Sequence, residues 1–182
     1  MTRTKNWKAY CKTAFNALSA SVEDWGDPDF FRPITRIYYI NVFDCASVNH
    51  LGLMSEEALL NPKERTQDHC LSPQFIGRMI MDNPDKYLQD YDIFESLFWM
   101  ACSTITVTKK ENRSLSMLTK NNGTDYKVFV PTNLKYKHLS INLLQKIGPG
   151  WNNAVKYDDN TIPAPTDLLE YEKNFLVNNH EI

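Results

Sequence analysis

Glycine is scarce in this chain, six in 182 residues, and no glycine-rich loop is present. The one close pair, Gly148 and Gly150, flanks Pro149 and lacks the Lys-Ser/Thr that a nucleotide-cradling loop needs. No serine stands in a nucleophile-elbow pattern, so serine-hydrolase chemistry has no support. Cys11, Cys45, Cys70 and Cys102 are widely spaced, with no Cys-x-x-Cys pair and no histidine cluster beside them. That argues against a zinc knuckle or ribbon and points to four reduced, buried thiols. No stretch approaches the roughly 18 consecutive apolar residues of a membrane span. The best run, residues 93–101, is short and broken by Glu95. The basic start is followed by no apolar signal segment. The expectation is a soluble, cytoplasmic protein with no membrane partner.

What the chain does have is bulk and charge asymmetry. Apolar residues make up 42 %, and nine Tyr, nine Phe and four Trp can fill a core. The length suits one α+β domain over residues 1–150, with residues 151–182 as an acidic C-terminal arm packed on it or partly flexible. Residues 103–146 carry seven Lys and one Arg against Glu111 and Asp125, whereas residues 157–182 carry six acids against Lys173. A basic middle can face an anionic partner such as DNA, and it can equally be a solvated face.

Periodicity places the elements. Trp7, Tyr10, Cys11, Phe15 and Leu18 recur at helical spacing over residues 5–19. Residues 35–43, rich in Ile, Tyr and Val, read as the strongest strand in the chain. Ser55 caps a short helix ending at Asn61-Pro62. Residues 65–71 are a short extended piece. Ser72-Pro73 then opens a helix over residues 73–81, and a second runs over residues 92–102. Residues 103–108 form a β-branched strand, and Thr108 and Glu111 have capping-box spacing, so a helix carrying Asn112 and Leu115 follows at once. Residues 127–130 suggest another strand, residues 134–147 a helix in their second half, and residues 166–177 a final short helix. The sum is an α+β fold, a small antiparallel sheet with several packed helices.

Chemistry concentrates at Asp68-His69, at the end of an extended piece just before a capped helix. A neutral imidazole can take a proton from water, a carboxylate and an amide oxygen can hold a hard divalent cation, and Asp68, His69 and Asn112 supply these groups. Strand, Asp-His, second strand, helix with Asn112: this order resembles the ββα-metal finger of HNH (His-Me finger) endonucleases, here with a helical insertion between the strands. The run from Thr108 through Asn112 to Leu115 also resembles small phage-encoded nucleases. The resemblance implies a metal-dependent DNA endonuclease with His69 as general base, Asp68 and Asn112 as ligands to Mg²⁺ or Mn²⁺, and Lys109, Lys110, Arg113, Lys120 and Lys127 along the nucleic acid. A second nuclease pattern, Pro84-Asp85 with Asp125 and Lys127, imitates the metal site of restriction-type enzymes.

Two bland readings stand beside these. Asp68 and His69 can serve the fold alone, through a cap and a backbone hydrogen bond. Tyr126 and Tyr136, interleaved with lysines that include Lys135, can stack bases or can lie as aromatic residues beneath snorkelling lysines. The alternative from another class is a non-enzymatic, phage-type interaction protein that binds a host or virion protein. His50, His138 and His180 are isolated in the sequence.

Overall fold

The computed structural model describes residues 6–25, 28–46, 48–118, 132–157, 167–171 and 173. The chain forms an α+β fold of two compact units, each assembled from separated stretches of sequence.

The first unit, residues 1–49 and 71–103, is helical. It holds α1 (Trp7–Ala20), α2 (Pro28–Asp44), α4 (Pro73–Asp82), α5 (Pro84–Tyr87) and α6 (Tyr91–Ala101). α2 packs on α1 and α4, and α6 packs on α1. The second unit, residues 50–70 and 104–182, holds the sheet with α3 (Glu56–Leu60), α7 (Lys109–Leu118) and α8 (Leu134–His138). Its strands are β1 (Asn49–Ser55), β2 (Arg65–His69), β3 (Ser103–Thr108), β4 (Leu143–Gln145) and β5 (Val155–Lys156). Spatial order is β2-β3-β1-β4-β5, so β2 is the outermost strand among the described residues and β5 carries the sheet past residue 150.

The sheet is small but mixed rather than antiparallel throughout. β2–β3, β1–β4 and β4–β5 are antiparallel, which leaves β1 and β3 as the parallel neighbours. β2 lies between β1 and β3 in sequence and runs antiparallel to β3, so β1 and β3 come to run the same way through the reversal at β2, and the segment with α4 and α6 joins the antiparallel neighbours β2 and β3.

Helix starts follow their capping residues. Ser55 Oγ accepts from Ala58 N at 3.1 Å, and Ser72 Oγ accepts from Phe75 N at 3.4 Å with Pro73 in the first turn. At the β3–α7 junction the capping box is closed in both directions. Thr108 N donates to Glu111 Oε2 at 2.7 Å, and Glu111 N donates to Thr108 Oγ1 at 3.1 Å.

Two expectations are corrected. Residues 35–43 are not a strand but most of α2. Ile34, Tyr38, Val42 and Cys45 are buried at helical spacing, and that stripe overrides the β-branched and aromatic propensity of the segment. The helix expected in the second half of residues 134–147 lies in the first half as α8. Ser140 has φ 54°, the left-handed region that ends a helix, and Leu143 and Leu144 then pair with Ser55 and Met54. The strand expected at 127–130 and most of the final helix fall outside the described residues; residues 167–171 are helical.

Each unit has its own core. In the first, Phe94 and Phe98 meet the Tyr38 ring edge-on at 6.0 Å each. In the second, Ile105, Val107, Leu115, Tyr136 and Leu143 are fully buried. No helix among the described residues is long and apolar enough to cross a membrane.

Candidate functional site

β2, β3 and α7 follow one another as strand, antiparallel strand and helix, and α7 packs against β2. Asp68 pairs with Ile105 across the ladder and His69 with Thr104. Side chains alternate along a strand, so Asp68 shares the face of the buried Ile105 and His69 leaves the opposite face. The two residues are adjacent in sequence and divided by the sheet.

Asp68 is 8 % exposed and already bound within the fold. Its Oδ2 lies 2.7 Å from Lys135 Nζ and accepts a hydrogen bond from Tyr136 OH at 2.5 Å. Lys135 Nζ also donates to the main-chain oxygen of His69 at 2.5 Å and stands 5.2 Å from the Tyr136 ring centroid. Lys135 is 2 % exposed and Tyr136 is fully buried. Burial pushes the Tyr136 phenol well above its usual range, and the Asp68 charge adds to the shift. The expectation that Lys135 and Tyr136 stack bases or snorkel at the surface is therefore corrected: both are interior. A tyrosine and a lysine in one short helix satisfy a single carboxylate on β2.

His69 is half-buried and its Nε2 is enclosed. Its neighbours across the sheet on that face are Thr104 and Thr106, and His50 Nε2 meets Thr106 Oγ1 at 2.9 Å. Asn112 is half-buried on α7, one turn ahead of the buried Leu115. Lys109, Lys110 and Arg113 are exposed on the same helix. Lys109 Nζ lies 3.8 Å from Glu64. Lys110 lines a cleft of about 480 Å³ together with Glu56, Glu57, Glu111, Ser114 and Asn142. Its three carboxylates oppose a phosphate, and neither Asp68, His69 nor Asn112 reaches it. Lys120 and Lys127 lie outside the described residues, as does Asp125. Asp85 is exposed in α5, a helix, where the restriction-type pattern calls for a strand. His138 is exposed on α8.

The donor set does not fit a divalent cation in this arrangement. A cation on the Asp68 carboxylate would stand near the Lys135 ammonium in an almost closed site. Charges of +2 and +1 about 4 Å apart repel by roughly 8 kcal/mol at an effective dielectric near 20. Among the described residues no group of three His, Cys, Asp or Glu side chains is placed to hold a metal.

Sequence reasoning found Asp68 and His69 but missed what binds them. Lys135 and Tyr136 stand 66 residues or more downstream of those partners, and no local pattern links them. No protein-family model matches the chain, and no curated protein or solved structure matches it either.

Proposed function

We propose that this protein works by binding rather than by catalysis, as a non-enzymatic interaction protein of the phage type that engages a host or virion protein. One observation carries the reading. The carboxylate that phosphodiester chemistry would use is neutralised inside the fold by Lys135 and hydrogen-bonded by Tyr136, across the sheet from His69. A surface suited to a protein partner adds support. On α2, Ile40 is 44 % and Phe43 57 % exposed, and Tyr39 stacks on Phe43 at 5.8 Å. Exposed aromatic and aliphatic side chains at helical spacing are the usual anchors of a protein interface.

A second reading rests on a different observation, the β2–β3–α7 order with its closed capping box. In that reading the protein is an HNH-like DNA endonuclease. His69 takes the proton of the attacking water, and exposed Lys109, Lys110 and Arg113 neutralise the phosphate. It requires Mg²⁺ or Mn²⁺ at Asp68 and Asn112, and Lys135 would first have to leave Asp68.

Incubation of plasmid and single-stranded DNA with Mg²⁺ or Mn²⁺, wild type beside His69→Ala, separates the two. Folded wild type that nicks neither substrate above the variant is the outcome expected of the binding protein. Metal-dependent nicking lost in His69→Ala overturns it in favour of the endonuclease.

A further inference from the structure

The cleft of about 480 Å³ is lined by α3, the first turns of α7 and residues 139–142, all of the second unit. Its volume falls in the range of ligand sites, about 300–1,000 Å³. The lining divides by chemistry. Leu60, Leu139 and Ile141 are apolar, and Leu60 is 71 % exposed. Glu56, Glu57 and Glu111 are acidic, and Lys110 is the one cation among the described lining residues. Glu111 is committed to the fold, since its Oε2 accepts from Thr108 and Ser55. Glu56 and Glu57 are exposed, and their side-chain hydrogen bonds among the described residues come from amides. Asn142 Nδ2 donates to Glu56 Oε2 at 3.2 Å, and Asn61 Nδ2 donates to Glu57 Oε1 at 2.7 Å. An amide donor leaves the carboxylate charge in place.

We propose that this cleft seats an arginine side chain presented by a peptide segment of the protein partner. The inference rests on the binding-protein reading and names the chemistry of one contact. Charge selects a cation, because three carboxylates face one ammonium in the lining. The apolar lining selects a long stem over a compact, strongly hydrated ion. The methylenes of arginine lie along apolar surface while its head stays with polar groups. Its guanidinium is planar and weakly hydrated, and its forked N–H groups match carboxylates such as Glu56 and Glu57. An exposed ion pair alone contributes little, and covering Leu60 supplies the apolar part of the affinity. Lys110 repels the arriving cation, so its removal has a sign opposite to that of every other lining change.

The probe is a capped pentapeptide with a central arginine flanked by leucines, titrated into the isotope-labelled full chain while backbone amide shifts are followed by NMR. A second peptide carries citrulline in place of arginine, with the same shape and no charge. The arginine peptide is expected to shift the amides of Glu57, Leu60 and Asn142 with a Kd of about 1 mM. It is expected to bind about tenfold more tightly than the citrulline peptide. Glu57, Leu60 and Lys110 are exposed, so changing them leaves the core untouched. Glu57→Gln and Leu60→Ser are each expected to weaken binding about threefold, and Glu56→Gln combined with Glu57→Gln about tenfold. Lys110→Met is expected to tighten it about twofold, a direction that a damaged fold does not produce. Equal binding of the two peptides overturns the proposal, as do shifts confined to other surfaces or weaker binding to Lys110→Met. Spermidine that shifts the same amides more tightly than the peptide overturns it in favour of a free polyamine. Shifts at these amides that grow with protein concentration alone overturn it in favour of a second copy of the chain. The assay contains neither DNA nor metal. Failure here without nicking of DNA sinks this inference alone, whereas metal-dependent nicking lost in His69→Ala sinks the reading beneath it.

Discussion

A Cβ on Gly77 would stand 3.0 Å from Cδ1 of Tyr38, so α4 and α2 approach each other through a position that only glycine fills without strain. The Tyr38 ring has little room to give, since it is fully buried and braced by Phe94 and Phe98. Gly77→Ala gains about 1 kcal/mol in helix propensity but overpacks this contact at about 1–3 kcal/mol. The expected outcome is a net loss of about 1 kcal/mol in urea unfolding, and a larger one for Gly77→Leu. A stabilised alanine variant would mean that the ring moves and the approach is not tight.

Tyr38 also shows where the sequence could be read and where it could not. Its segment, Ile37 to Val42, has the composition of a strand, and only the spacing of Ile34, Tyr38 and Val42 marks the helix. Composition and period conflicted, and tertiary burial of one stripe decided. Where the signal was chemical rather than statistical, the reading was sound. Ser55, Ser72 and the Thr108–Glu111 pair cap the helices that their side chains announce. Asp68-His69 was placed at the end of its strand for the same reason, because the helix start behind it was legible. Its partners were not, since a lysine in a Lys-Tyr-Lys run reads as surface and its burial is settled by contacts 66 residues apart.

Glu111 binds more than its own helix. Its Oε2 accepts from Thr108 N at 2.7 Å, Thr108 Oγ1 at 2.9 Å and Ser55 Oγ at 2.7 Å. A carboxylate in the first turn also meets the positive end of α7. Glu111→Ala is expected to cost about 2 kcal/mol, from the cap and from two stranded hydroxyl donors. Glu111→Gln retains acceptor geometry and should cost less than half as much. Equal losses for the two, by chemical denaturation, would remove the cap as the cause.

Tyr136→Phe deletes one hydroxyl and leaves the ring in place. The lost hydrogen bond runs to the Asp68 carboxylate, and such bonds contribute about 1.5–3 kcal/mol. A loss in that range is expected, with Lys135 still neutralising Asp68. Because burial holds the phenol well above its usual range, wild-type Tyr136 should stay protonated until the protein unfolds in alkali. An absorbance titration near 295 nm of wild type against Tyr136→Phe checks this, and a difference appearing before unfolding would contradict the buried geometry.

His50 gives the fold a defined response to acid. Gly52 N donates to His50 Nδ1 at 3.0 Å, so Nδ1 is the acceptor and Nε2 carries the proton toward Thr106 Oγ1 at 2.9 Å. Protonating Nδ1 would set two donors against each other. Burial first, and the Lys146 charge second, hold the imidazole below its ordinary value of 6.5. The folded state therefore prefers the neutral ring, and the unfolded chain takes up the proton at higher pH than the folded one. Above that ordinary value His50 sets no penalty on folding. As pH falls below it and through the folded value, stability is lost. Urea unfolding between about pH 7 and pH 5 should show a decline that is shallower in His50→Gln, whose amide does not titrate. Parallel curves for the two proteins would show that His50 is not the group that senses acid.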